Sequence, residues 1–190
     1  MEINAFHLQE HDYMGLAKCK LLTELSLSNA LHLTSQGVTE ILRLNNIRVL
    51  ALIRANSLTG SDFARIFSSK SLPNLSDLTF WDCLTLEGEQ FSSFFETSND
   101  ISCRPLKTLE LRYCKFLNDL AVGIIIRICN QLKTLDLGGC RDLTDDCMEE
   151  IIKYSKPSLQ TLIISSGNLS DECVQKLKDN IKIVKLHDIA

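Results

Sequence analysis

The chain has 190 residues, 45% apolar and 23% charged, a composition that builds a folded core and excludes a disordered tail. No apolar run approaches the ~20 residues of a membrane-crossing helix, and Met1-Glu2-Ile3-Asn4 lacks the basic-then-apolar order of a secretory signal. The formal net charge of −4 gives no electrostatic reason to expect nucleic acid or an anionic membrane as a partner.

From the N-terminus, Ile3/Phe6/Leu8 fits a degenerate first copy of the motif L-x-x-L-x-L, spanning residues 3–19. Clear copies begin at 22, 47, 75, 106, 132, 159 and 181: Leu22/Leu25/Leu27, Ile47/Leu50/Leu52, Leu75/Leu78/Phe80, Leu106/Leu109/Leu111, Leu132/Leu135/Leu137, Leu159/Leu162/Ile164 and Ile181/Val184/Leu186. Their spacing is near the ~20–29 residues of leucine-rich repeats. Alternating apolar residues over so short a stretch predict a strand.

The agreement runs past each strand. With the first leucine at position 0, position 11 holds Leu33, Leu58, Leu86, Leu117 and Leu143. Positions 16, 19 and 20 hold Val38/Ile41/Leu42, Phe63/Ile66/Phe67, Phe91/Phe94/Phe95, Val122/Ile125/Ile126 and Met148/Ile151/Ile152, the spacing of one helix face. The sixth copy keeps the order one place early, with Leu169, Val174 and Leu177. Helix starts are marked by Thr34, Asn118, Thr144 and Ser170, and by Ser61-Asp62 in the second copy. Short oxygen-bearing side chains there accept free amide hydrogens, and acids suit the helix dipole. Each unit is therefore a strand, a turn and a helix. Stacking predicts an α/β leucine-rich-repeat solenoid, a right-handed βα superhelix forming a ribonuclease-inhibitor-like horseshoe segment. It has about seven repeats in one domain over residues 1–190.

The repeat phase also places all eight cysteines. Cys83, Cys114 and Cys140 stand at position 8, where Ala30 and Ala55 stand in the first two copies. Cys19, Cys103 and Cys129 lie three residues before position 0, and Cys147 and Cys173 share a place at the helix starts. A slot that accepts alanine wants a small buried residue. There is no Cys-x-x-Cys pair for zinc. Reduced, metal-free core thiols are expected, and with them a cytosolic or nuclear compartment.

The run Cys129-x-x-Leu132-x-x-Leu135-x-Leu137-x-x-Cys140-x-x-Leu143-Thr144-Asp145 resembles the cysteine-containing subtype of leucine-rich repeat. That subtype is typical of F-box/LRR proteins, the substrate receptors of SCF ubiquitin ligases, and of the related antagonist-of-mitotic-exit-network proteins. The resemblance covers about residues 19–190. It implies a protein-interaction module, the substrate-recognition region of such a receptor. It also implies that SCF components attach through an F-box, a segment of roughly forty residues that usually precedes the repeats. No F-box is visible in the residues before Leu22. A stand-alone scaffold or inhibitor, acting without ubiquitin, is the alternative.

Catalytic constellations are missing. His7, His11, His32 and His187 are scattered, no G-x-S-x-G or phosphate-binding loop occurs, and Asp145/Asp146 and Glu149/Glu150 read as a charged outer helix face. The expectation is a binding protein, with no enzyme activity, cofactor or metal. In such strands the leucines point inward, and positions 2, 4, 6 and 7 line the concave face. Copies two to four carry the large side chains there. Ile53, Arg54, Trp81, Asp82, Glu110, Arg112 and Tyr113 are therefore the candidate partner-binding residues. The third copy carries extra residues at 97–102, readable as a rim contact or as a spacer.

Overall fold

The computed structural model describes residues 1–68, 72–90, 92–93, 105–155 and 158–187. The expected helix face Phe91/Phe94/Phe95, the segment 97–102 and Cys103 lie outside these residues.

Eight strands form one parallel sheet in chain order: β1 (Glu2–Asn4), β2 (Glu24–Ser28), β3 (Val49–Ile53), β4 (Asp77–Trp81), β5 (Thr108–Arg112), β6 (Thr134–Leu137), β7 (Thr161–Ser165) and β8 (Ile183–His187). Helices α1 (Glu10–Tyr13), α2 (Ser35–Ile41), α3 (Gly60–Phe67), α4 (Asp119–Ile128), α5 (Asp145–Ser155) and α6 (Asp171–Asn180) follow β1, β2, β3, β5, β6 and β7. Residues 88–90 and 92–93 are helical as well. The sheet is open, as expected for a leucine-rich-repeat solenoid.

Register follows the motif. Leu25, Leu50, Leu78, Leu109, Leu135 and Leu162 pair in one row, and Leu27, Leu52 and Phe80 pair in another. All are buried, as are Leu33, Leu58, Leu86, Leu117 and Leu143 at position 11. The helices close the core with Val38, Ile41, Phe63, Ile66, Phe67, Val122, Ile125, Ile126, Met148 and Ile151. Edge-on contacts of Phe63 and Phe67 with Phe80 join α3 to β4.

Three expectations are corrected. In the first copy, Ile3 pairs with Leu27, so it occupies position 5 rather than position 0, and Phe6 faces solvent. The buried residue after β1 is Ala5. In the second copy the cap of α3 is Thr59, not Ser61: Thr59 accepts from the Asp62 amide, and the Asp62 carboxylate accepts from the Thr59 amide. Reciprocity satisfies two otherwise free amides, which Ser61, inside the first turn, has no geometry to do. Cys19 is exposed, whereas Cys129 in the same repeat phase is buried. A short 3-10 turn (Leu16–Lys18), rather than a full helix, precedes Cys19.

The caps also link successive helices. Asp119 accepts from the amide and hydroxyl of Thr144, and Asp145 accepts likewise from Ser170. An acid favoured by one helix dipole thus fixes the start of the next helix.

Candidate functional site

After β2 to β6 the chain turns off the sheet, and position 7 does so in left-handed conformation: Asn29 (φ 51), Arg54 (φ 57), Asp82 (φ 53), Tyr113 (φ 55) and Gly139 (φ 82). Asn, Asp and Gly enter this region at low cost, while Arg54 and Tyr113 hold it at about 1–2 kcal/mol each. These two strained side chains lie at the mouth of the concave face.

The turn then buries position 8. The thiols of Cys83, Cys114 and Cys140 donate to the carbonyls of Leu52, Phe80 and Leu111, each at position 5 of the preceding strand. Ala30 and Ala55 fill the same slot without this bond. Burial pushes the thiols of Cys83 and Cys140 up to about 12, and that of Cys114 well above its ordinary value. They stay protonated and unreactive at neutral pH.

Positions 6 and 7 converge on an aromatic platform. Trp81 stacks on Tyr113 with ring centroids 6.4 Å apart and planes at 17°. The Arg112 guanidinium lies 5.1 Å from the Trp81 ring centroid, in cation–π contact. Trp81 and Tyr113 remain 40% and 38% exposed, so they belong to the surface and not to the core. Beneath them Arg112 Nε stands 3.5 Å from Asp136 Oδ2, an ion-pair distance, yet it makes no hydrogen bond. Asp136 is buried and accepts from the Gly138 amide at 2.9 Å.

Tyr113 reaches across two strands. Its ring covers Gly139, and its hydroxyl meets His187 Nε2 at 3.3 Å on β8. The path is open because Gly138, Gly139 and Ser165 are small, and the Gly139 amide donates to Ser165 Oγ at 2.7 Å. On the other side, Ile53 pairs with Trp81, and Arg54 Nε donates to Asp82 at 3.1 Å. These four residues and Asn29 line a shallow pocket of about 260 Å³. Glu110 lies apart from the rings and accepts from Thr79 Oγ1 at 3.5 Å.

All seven candidate residues therefore lie on the concave face or its mouth, and Ile53, Arg54, Trp81, Asp82, Arg112 and Tyr113 form one continuous cluster. Sequence reasoning placed Asp136 and Ser165 in the lining, at positions 4 and 6, without joining them to the candidate cluster, and it missed His187. His187 was within reach, since it stands at position 6 of the seventh copy as Trp81 and Arg112 do in theirs. Among the described residues no His, Cys, Asp and Glu cluster is arranged to hold a metal, and no helix is long and apolar enough to cross a membrane.

This architecture defines a leucine-rich-repeat solenoid. The Leucine Rich Repeat family model matches residues 106–130, the fourth copy through α4. A chain in the crystal structure of the Rad7 and Elc1 complex in yeast shares the fold, with a TM-score of 0.53 and 17% sequence identity. The match covers 94% of this chain and 54% of that one, so the present chain spans about half the length of its structural relative. No curated protein sequence matches.

Proposed function

We propose that this chain is a protein-recognition module whose concave face docks a partner on the Trp81 platform. In the same reading its repeats serve as the substrate-recognition region of an F-box/LRR-type receptor of an SCF ubiquitin ligase. One observation carries the docking reading: the only tryptophan, a stacked tyrosine and an arginine stand together, partly exposed, on the open sheet face. These residue types dominate interface energetics, and here mutual contacts hold them in place before a partner arrives.

The receptor reading is supported by the phase of the cysteines and by the shared fold with a chain of the Rad7–Elc1 complex, itself a two-protein assembly. Action is by occupancy, without catalysis or cofactor, in the cytosol or nucleus, where thiols stay reduced. Purification of the complete gene product, tagged at its chromosomal locus so that any segment preceding the repeats is retained, followed by mass spectrometry, tests this. Recovery of cullin and Skp-type components supports the receptor reading, and a stable partner without them overturns it in favour of a scaffold. Trp81→Ala should then cost that partner about 2 kcal/mol or more of affinity, against under about 0.5 kcal/mol for Thr161→Ala on the same face. An unchanged affinity for Trp81→Ala would move the docking surface off the concave face.

A further inference from the structure

The net charge of −4 hides a segregated distribution. The five residues from three before to one after position 0, taken over the seven clear copies, hold eight of the 20 Lys and Arg and one of the 24 Asp and Glu. None of these residues is aromatic. Those among the described residues that directly precede the strands, Arg48, Lys107, Lys133 and Lys182 included, stand at the edge of the sheet opposite the position-7 turns.

Backbone geometry aligns the cations. At position 1 each carbonyl accepts from the next copy: Thr23 from Arg48, Arg48 from Ser76, Ser76 from Lys107, Lys107 from Lys133, Lys133 from Gln160, and Gln160 from Ile183. Arg48, Lys107 and Lys133 are consequently stacked along one line, and the pairing of Thr161 with Ile183 extends it to Lys182, beside Gln160. Strands lie ~4.8 Å apart, so the gaps are about 10, 5 and 10 Å and the row about 24 Å long. All four side chains are exposed, and none makes an ion pair among the described residues. Helix-dipole complementation does not account for Arg48 or Lys133, which lie beyond the caps Leu42 and Cys129 by more than the last turn in which that effect operates.

We infer that this rim is a second interaction surface, separate from the Trp81 platform, and that it takes an extended acidic protein segment. An extended chain rises ~3.4 Å per residue, so acids about three, one to two and three residues apart match the cations. Nucleic acid fits less well. The rim has no aromatic ring on which a base can stack. The next row of the sheet carries Glu24 and Asp77, which repel a polyanion as wide as a duplex but lie to the side of a single peptide chain.

Fluorescence anisotropy of the full chain tests the inference. The probes are a labelled peptide with glutamates in that spacing and serines between, a peptide with lysines in their place, and a short DNA duplex. The acidic peptide should bind at low salt, more tightly than either other probe, and weaken steeply as salt is raised. Arg48→Gln, Lys107→Gln, Lys133→Gln and Lys182→Gln together should weaken it by at least about tenfold, the product of four exposed charge pairs. The same net change made with Lys18→Gln, Lys115→Gln, Lys153→Gln and Lys185→Gln should weaken it far less, and Trp81→Ala should leave it unchanged. Circular dichroism checks that the variants stay folded. No binding, an equal loss in the control set, or tighter binding of the duplex through the same four residues would each overturn the acidic-peptide assignment. A loss with Trp81→Ala would move the peptide to the concave platform, overturning the rim while sparing the docking reading.

Discussion

Gly139 carries the most quantitative expectation. It sits at φ +82, and a Cβ built there meets Tyr113 Cδ1 and lies 2.8 Å from its Cε1 and Cγ. Gly139→Ala thus has two costs: about 1–2 kcal/mol for placing alanine in left-handed backbone, and about 1–3 kcal/mol for overpacking against the ring. Together they lower stability by about 2–5 kcal/mol. Relief requires Tyr113 to leave its seat, giving up the stack on Trp81 and the contact with His187. Urea titration followed by circular dichroism measures the loss, and the emission of the single tryptophan reports the displaced ring. In a Tyr113→Ala background only the backbone cost remains, so Gly139→Ala should cost about 1–2 kcal/mol there, and the coupling in the cycle is the ring contact. Equal costs in both backgrounds would refute the seating of Tyr113 on Gly139.

Gly123 behaves oppositely. It lies inside α4 with Glu150 Oε2 the nearest atom to a new Cβ, at 3.7 Å, so Gly123→Ala should raise stability by about 0.5–1 kcal/mol; a lower melting temperature would contradict this. Brief alkylation of the folded protein near pH 8 should label Cys19 while sparing Cys83, Cys114 and Cys140, as peptide mapping would show; under denaturing conditions without reductant, all eight cysteines should react. Hydrogen bonds from the Ser170 hydroxyl and amide hold the Asp145 carboxyl below its ordinary range. A folded-state value below the unfolded one gives stability that is full above the ordinary carboxylate pKa and is lost as pH falls through the folded value. Ser170→Ala should therefore flatten the fall in melting temperature between about pH 5 and pH 3, and an unchanged slope would remove this pair from the acid response.

Periodic burial was legible because each repeat meets the same neighbours. Leu25, Leu50, Leu78 and Leu109 need one apolar contact surface apiece, and a spacing rule captures that. Position 7 was less legible. Its left-handed backbone is plain in Asn29, Asp82 and Gly139, but Arg54 and Tyr113 carry no such mark, because strain there is held by the hydrogen bonds of the flanking turns. The position-8 cysteines were readable as small buried residues, but not as donors to Leu52, Phe80 and Leu111, because a bond to a backbone carbonyl leaves no trace in side-chain patterning. Asp136 was legible as a lining residue but not as the partner of Arg112, for a related reason. Its burial depends on Arg112 in the adjoining copy, a pairing that exists only once the strands are in register.

The Tyr113–His187 contact changes how the array comes apart. In a stack where each copy touches only its neighbours, the end copy peels away without disturbing the middle. Here the last strand holds a ring that belongs to the fourth clear copy, three strands inward. A force applied at the C-terminus that detaches β8 would free Tyr113 in the same event and unstack Trp81. In an optical-trap record the first rip would coincide with a change in tryptophan emission, and the docking platform would be mechanically wired to the end of the chain.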